Sequence, residues 1–190
     1  MSAQPDFPIT PPQYLAYDRA SAQRYELVDG QIYALAGGSQ QHSLIITNVV
    51  ASLHGQLRRR ECTVYASDMR VKTPQTALYT YPDVSVVCGK PLFEDDSRDT
   101  LLNPIVIIEV LSPSTERYDR GRKFRSYRLI ETLQEYILIA QDARQIEHFE
   151  RQPDGQWSFS SVGEDEADLK LPSIGCHLSV ADVYEKVTFD

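Results

Sequence analysis

Ile105-Val106-Ile107-Ile108-Glu109-Val110-Leu111-Ser112-Pro113-Ser114-Thr115 decides how this chain folds. Residues 105–111 are apolar on both faces, a pattern that predicts a strand at the centre of a covered sheet. Glu109 interrupts the run. A carboxylate on a buried strand costs on the order of several kcal/mol unless a cation or hydrogen bonds compensate it. Ser112-Pro113-Ser114-Thr115 then offers an N-cap before a helix that runs to about Ile130.

Upstream, residues 82–88 carry Val84, Val86 and Val87 and predict a second strand, and residues 63–73 a third. Between 42 and 60, apolar residues recur at Leu44, Ile45, Val49, Leu53 and Leu57, a helical period. Residues 25–28 and 31–35 flank Asp29-Gly30, a strong hairpin signal. A short helix is predicted over 14–22, and residues 1–13, with four prolines, read as an irregular lead-in. Residues 89–103 read as a polar loop with the acidic cluster Glu94-Asp95-Asp96. Downstream come a buried strand over 135–140, a hairpin from 144–151 and 156–162 around Pro153-Asp154-Gly155, and a terminal helix over 180–187. The order predicts a mixed α/β sheet flanked by helices. A length of 190 residues fits one domain, with 163–190 as a C-terminal extension.

Composition narrows the function classes. The chain is 42% hydrophobic and 24% charged, which excludes wholesale disorder. Its net charge of -8 argues against a passive, charge-driven nucleic-acid coat but leaves room for a local basic patch. No apolar run approaches a membrane span, and the start lacks a basic and apolar secretory pattern, so no membrane partner is expected. Cys62, Cys88 and Cys176 are odd in number and far apart. They are expected to be packing residues in a reducing cytoplasm, with neither zinc spacing nor a disulfide framework. P-loop, GxGxxG and GxSxG patterns are absent, so nucleotide hydrolysis, dinucleotide redox chemistry and a serine nucleophile lack support.

The chemistry then gathers around Glu109. If the strands over 82–88 and 105–111 are antiparallel neighbours, Asp83 at the start of one lies beside Glu109 at the end of the other. Two carboxylates in one partly buried place repel unless a proton or metal lies between them. Oxygen ligands favour a hard cation, Mg²⁺ or Mn²⁺. Asp83 by itself is more often an ordinary strand-start aspartate, and Glu109 by itself is as readily paired with a base. Lys123 shares a helical stripe with Tyr127 and Ile130 and lies where it can reach back to Glu109. The bland alternative is a snorkelling lysine paired with Asp119. The same helix carries Arg117, Arg120, Arg122, Arg125 and Arg128, and Arg120, Arg122 and Arg125 are expected to include phosphate contacts. Arg58-Arg59-Arg60 is a second basic cluster. His42 is a candidate substrate or metal contact, although a helix-end or core histidine is commoner. Glu26 either closes the metal site or simply ends a strand.

Tyr81-Pro82-Asp83, the run from Ile108 through Glu109 to Thr115, Asp119-Arg120-Gly121-Arg122-Lys123 and Tyr127 together resemble the Uma-two-type restriction endonuclease family. That family is common in cyanobacteria and belongs to the PD-(D/E)XK superfamily. Tyr25-Glu26-Leu27-Val28-Asp29-Gly30 and His42 match its amino-terminal half, so the resemblance covers roughly residues 10–150. It implies a restriction-endonuclease-like core and a Mg²⁺- or Mn²⁺-dependent endonuclease that hydrolyses phosphodiester bonds, with DNA as partner. Asp83 and Glu109 would be the motif's acids, and the backbone carbonyl of Val110 would complete the metal shell. The motif's lysine usually follows the second acid by two positions, where this chain has Leu111; the family supplies it from the next helix, as Lys123. Cutting both strands needs two sites, so a homodimer is expected. The rival reading is a catalytically inactive nucleic-acid-binding or interaction module on the same fold.

Overall fold

The strand read as the centre of a covered sheet is that. In a computed structural model describing residues 8–164 and 168–189, Val106–Leu111 is buried at every position. The elements run α1 (Pro11–Ala20), β1 (Tyr25–Val28), β2 (Gln31–Ala34), α2 (Gln40–Leu57), β3 (Cys62–Ala66), β4 (Arg70–Lys72) and β5 (Tyr79–Thr80). There follow β6 (Val84–Cys88), β7 (Thr100–Leu101), β8 (Val106–Leu111), α3 (Glu116–Tyr118), a π-helical turn (Asp119–Lys123) and α4 (Phe124–Tyr127). The chain closes with β9 (Glu135–Ala140), β10 (Gln145–Arg151), β11 (Trp157–Gly163), β12 (Leu169–Leu171), β13 (Cys176–Leu178) and α5 (Val180–Val183).

The larger sheet has the order β11-β10-β9-β8-β6-β3. β8 pairs antiparallel with β6, with Val84 opposite Ile108, and parallel with β9, with Glu109 opposite Leu138. A smaller sheet has the order β2-β1-β5-β4-β7. Side chains alternate along β8, so its two faces feed two cores. Ile108 and Val110 join Ile45, Val49, Leu53 and Leu57 of α2 and the β12–α5 segment. Ile107 and Leu111 join Tyr127, Ile130, Leu133 and Tyr136 on the other side. This is the mixed α/β architecture expected from the order of elements.

The hairpin at Asp29-Gly30 is present, and both residues have positive φ, 49° and 77°, as its tight turn requires. A Cβ on Gly30 would meet Pro8 Cβ at 2.7 Å, so glycine is required there on two counts. α1 starts earlier than predicted because Pro11 takes the first turn and Thr10 and Gln13 form a capping box. The described part of the lead-in is therefore already ordered, while residues 1–7 lie outside the described residues.

Several expectations are corrected. The stretch 63–73 is two strands rather than one: the chain turns after Ala66, with Met69 N–H donating to the Ala66 carbonyl at 3.1 Å, and β3 and β4 enter different sheets. The polar loop at 89–103 contains β7. The terminal helix is a single turn, preceded by the unpredicted pair β12 and β13. The N-cap expected within 112–115 falls on Thr115, but the helix ends at Tyr127, short of Ile130, with a π turn inside it. Cys62 and Cys88 are not unpaired packing residues. They face each other in the β3–β6 register and form a disulfide, which removes the cysteine argument for a reducing compartment. Cys176 is free and buried. Among the described residues, no helix is long and apolar enough to cross a membrane.

Candidate active site

Beyond the last paired residues of β6 and β8, the antiparallel register carries Asp83 to the side of Glu109. The Asp83 Oδ2 accepts the Val110 N–H at 2.7 Å, which ties the start of one strand to the end of the other. On that end opens a cleft of about 880 Å³, lined by Glu26, His42, Asp83, Glu109, Val110, Asp119 and Lys123 among others. Every acid proposed from sequence, and the relocated lysine, therefore shares one cavity.

Lys123 is the hub. It is 6% exposed, and its Nζ lies 3.0 Å from Glu109 Oε1, 3.0 Å from Asp119 Oδ1 and 3.6 Å from Glu26 Oε1. The Glu109 contact is a hydrogen bond. Asp119 Oδ1 has the ionic contact without hydrogen-bond alignment and is otherwise a buried, unpartnered oxygen. Burial works against the Lys123 ammonium, but Glu109, Glu26, Tyr127 and Asp119 outweigh it and hold its pKa well above the usual lysine range. Lys123 is thus a fixed positive charge.

Glu109 is 3% exposed. Burial pushes its pKa well above the ordinary carboxylate value; Lys123 opposes this, and Asp119, Asp83 and Glu26 add to it. Tyr127 donates its hydroxyl to Glu109 Oε1 at 2.9 Å, and the Thr80 hydroxyl lies 2.7 Å from the same phenol. Burial, then the charge of Glu109, keeps Tyr127 protonated and therefore a donor.

His42 sits in the first turn of α2, whose N-cap Ser39 accepts the His42 N–H. Its Nε2 is 3.3 Å from Asp83 Oδ2, and the ring also bonds to the Val110 carbonyl. Burial opposes the charged ring, but Asp83 and the Val110 carbonyl prevail and raise its pKa. His42 therefore stands between two of the three groups assigned to the metal.

Glu26 is placed by a separate buried knot. The Tyr81 N–H reaches Glu26 Oε1 at 3.4 Å, and the Tyr81 hydroxyl is fixed by Arg70, whose guanidinium pairs with Asp18 of α1. Arg70 also donates to the Thr100 hydroxyl at 2.7 Å. The small sheet and α1 thus clamp the Tyr81-Pro82-Asp83 segment from behind.

The arginines of the basic helix are placed elsewhere. Arg120 pairs with Glu116 and Glu147, Arg122 pairs with Asp29, and Arg125 is exposed with no ion pair among the described residues. None of the three lines the cleft. Sequence reasoning missed two features. Asp119 was read as an i−4 partner of Lys123 and not as a buried acid of the site, although it lies in the π turn at 2% exposure. Arg24, on the rim of the cleft, had no signal at all.

As to a metal, among the described residues no three or more His, Cys, Asp or Glu side chains form a ready-made cage. The all-oxygen donors Asp83, Glu109 and the Val110 carbonyl nevertheless suit a hard cation. Mg²⁺ typically takes one or two carboxylates and keeps several waters. Three carboxylates around one lysine, with Asp83 in the same cleft, leave a surplus of acid, and the Asp119 oxygen without a hydrogen-bond partner marks it. The residues present fit such an ion.

Comparison with known proteins identifies the family. The model of the family Uma2, described as "Putative restriction endonuclease", matches residues 11–181. "Uncharacterized protein slr1290" of Synechocystis sp. is 35% identical over 181 residues, covering 95% of this chain and 94% of the relative. "Uncharacterized protein sll1609" of the same organism is 33% identical over 163 residues, covering 86% and 92%. The crystal structure of "a putative nuclease belonging to DUF820" from Anabaena variabilis shares the fold, with a TM-score of 0.79 over 95% of this chain and all of that one, at 20% identity. With its acids and lysine in one cleft and the family match spanning nearly its whole length, the chain belongs to the Uma2 family.

Proposed function

We propose that the protein is a metal-dependent endonuclease that hydrolyses phosphodiester bonds in DNA. The observation that carries this reading is the convergence of Asp83, Glu109 and Lys123 in one cleft, with the Lys123 ammonium on the buried Glu109. Asp83, Glu109 and the Val110 carbonyl would hold Mg²⁺ or Mn²⁺, assisted by Glu26. Bound there, the ion supplies Lewis-acid stabilisation of the charge that develops on the phosphate. Lys123, permanently charged, orients the attacking water or offsets the oxyanion. Glu26 and Asp119 hold the ammonium in place, and Tyr127 fixes the Glu109 carboxyl. Of the three arginines expected to touch phosphate, Arg125 is the one without an ion pair among the described residues and so free to meet an outer phosphate. Two such sites on a duplex call for a homodimer.

The test is thermal denaturation with and without Mn²⁺. A ligand that binds only the folded state raises its melting temperature. Mn²⁺ is expected to stabilise the wild type and to leave Asp83→Asn unmoved. No shift in the wild type would favour the rival reading, a binding module with an inactive nuclease fold.

A further inference from the structure

The cleft is rich in acids, yet its substrate would be a polyanion. Among the described residues lining it, the basic side chains are Arg24, His42 and Lys123. Lys123 is taken by Glu26, Glu109 and Asp119, and His42 by Asp83 and the Val110 carbonyl. Arg24 remains. It immediately precedes β1, and its carbonyl accepts the Leu35 N–H at 2.9 Å, so its backbone is anchored at the open end of the first hairpin. Its guanidinium carbon lies 5.4 Å from the centroid of the Tyr81 ring, two residues before Asp83. That ring is held rigid by the bonds of its hydroxyl to Arg70 and Asp18.

The one ionic partner that Arg24 has among the described residues is weak. Its NH1 lies 2.7 Å from Asp68 Oδ1, but the Arg24 side chain is 42% exposed and that of Asp68 81%. Exposed pairs of this kind contribute little and are readily exchanged. Arg120 is in the opposite position, held by two acids, one of them mostly buried. A guanidinium lying over a fixed aromatic ring at cation–π distance and loosely held by a solvated carboxylate is placed for bidentate contact with phosphate.

We infer that Arg24 is the phosphate-binding residue of this cleft, gripping the backbone of the nucleic-acid strand at a phosphate next to the site of cleavage and exchanging Asp68 for it. The assignment rests on the nuclease reading, deepens it by naming the contact, and moves the main electrostatic grip from the basic helix to the cleft rim. The chemistry recognised is a phosphodiester.

The test is equilibrium binding of a short fluorescein-labelled duplex DNA, and of its single strand, over a KCl series with Ca²⁺ supplied. Wild type, Arg24→Gln, Arg24→Lys and Asp68→Asn are compared, each checked for an unchanged melting temperature. Arg24→Gln is expected to bind roughly tenfold or more weakly. Its salt dependence on the duplex should flatten by about 0.9 in log–log slope, the loss of one contact. Arg24→Lys should keep the slope, because it keeps the charge, and Asp68→Asn should bind at least as tightly as wild type. Wild-type affinity and slope in Arg24→Gln would overturn the assignment and leave the nuclease reading standing. So would an equal loss in Asp68→Asn, which would make the pair a structural clasp. If the wild type binds neither probe, the nuclease reading fails and takes the Arg24 assignment with it.

Discussion

At the scale of single residues, the account turns on one ammonium. Leu111 occupies the position where the motif usually has lysine, and it is buried among Tyr127 and Ile130 rather than in the cleft. Lys123 reaches Glu109 from the helix above instead. Lys123→Met keeps the stem and removes the charge, so it is expected to retain Mn²⁺-induced stabilisation and lose cleavage by about 100-fold or more, as removal of a transition-state electrostatic group commonly does. Steady-state cleavage beside a melting curve checks both halves. Glu109→Gln is expected to abolish cleavage and, without metal, to melt no lower than wild type at neutral pH. The sign follows from the raised pKa of Glu109. Its proton stabilises the fold below the ordinary carboxylate value, and that contribution is lost as pH rises through the raised one. The wild type and Glu109→Gln should therefore converge in acid, which melting across pH would detect.

Glu109 was readable because a charge inside an apolar strand demands compensation, and Lys123 because it shares a stripe with Tyr127 and Ile130. Arg24 was not, because one arginine before a hairpin breaks no pattern. The Cys62–Cys88 pairing was not either: the two lie 26 positions apart with no diagnostic spacing, and only the β3–β6 register sets them opposite each other.

At the scale of elements, α1 is the brace behind the site. Arg19 at its end bonds to Asp95 and Asp99, while Asp18 and Arg70 pair in the buried knot that positions Tyr81. The hydrogen bond from Arg19 holds the Asp99 carboxyl down, from 3.8 to about 2, despite partial burial. A depressed carboxylate stabilises the fold above its unfolded value and loses that contribution as pH falls through the folded one. Asp99→Asn is thus expected to lower the melting temperature at neutral pH, with the deficit shrinking as pH falls from 3.8 towards about 2. A deficit that is independent of pH would show that Asp99 acts by packing alone. Long periodic elements such as α2, and hairpins marked by Asp-Gly, were readable from the chain. β5 and β7 were not, because two residues display no period. The π turn escaped for a related reason: an α-helical stripe already puts residues 119 and 123 on one face, so nothing in the spacing reveals a widened turn.

At the scale of the molecule, a chain of net charge -8 places Glu26, Asp83, Glu109 and Asp119 in one cleft at the end of its central strands, and the larger sheet carries a core on each of its faces beside that end. The order of elements and the central position of β8 followed from apolar patterning. The division of the strands between two sheets did not, because it depends on turns such as the one after Ala66 and on pairings between distant short strands. A surplus of acid in a cleft proposed to receive a polyanion calls for a proton or a cation to offset it, and the proposed function assigns that place to a cation. The most direct measurement is cleavage of supercoiled plasmid DNA in Mg²⁺ by the wild type and by Asp83→Asn, purified side by side. The account predicts that the wild type converts the plasmid to nicked or linear form, that a chelator stops it, and that Asp83→Asn leaves the plasmid intact. Equal cleavage by both proteins, or none by the wild type, would contradict it.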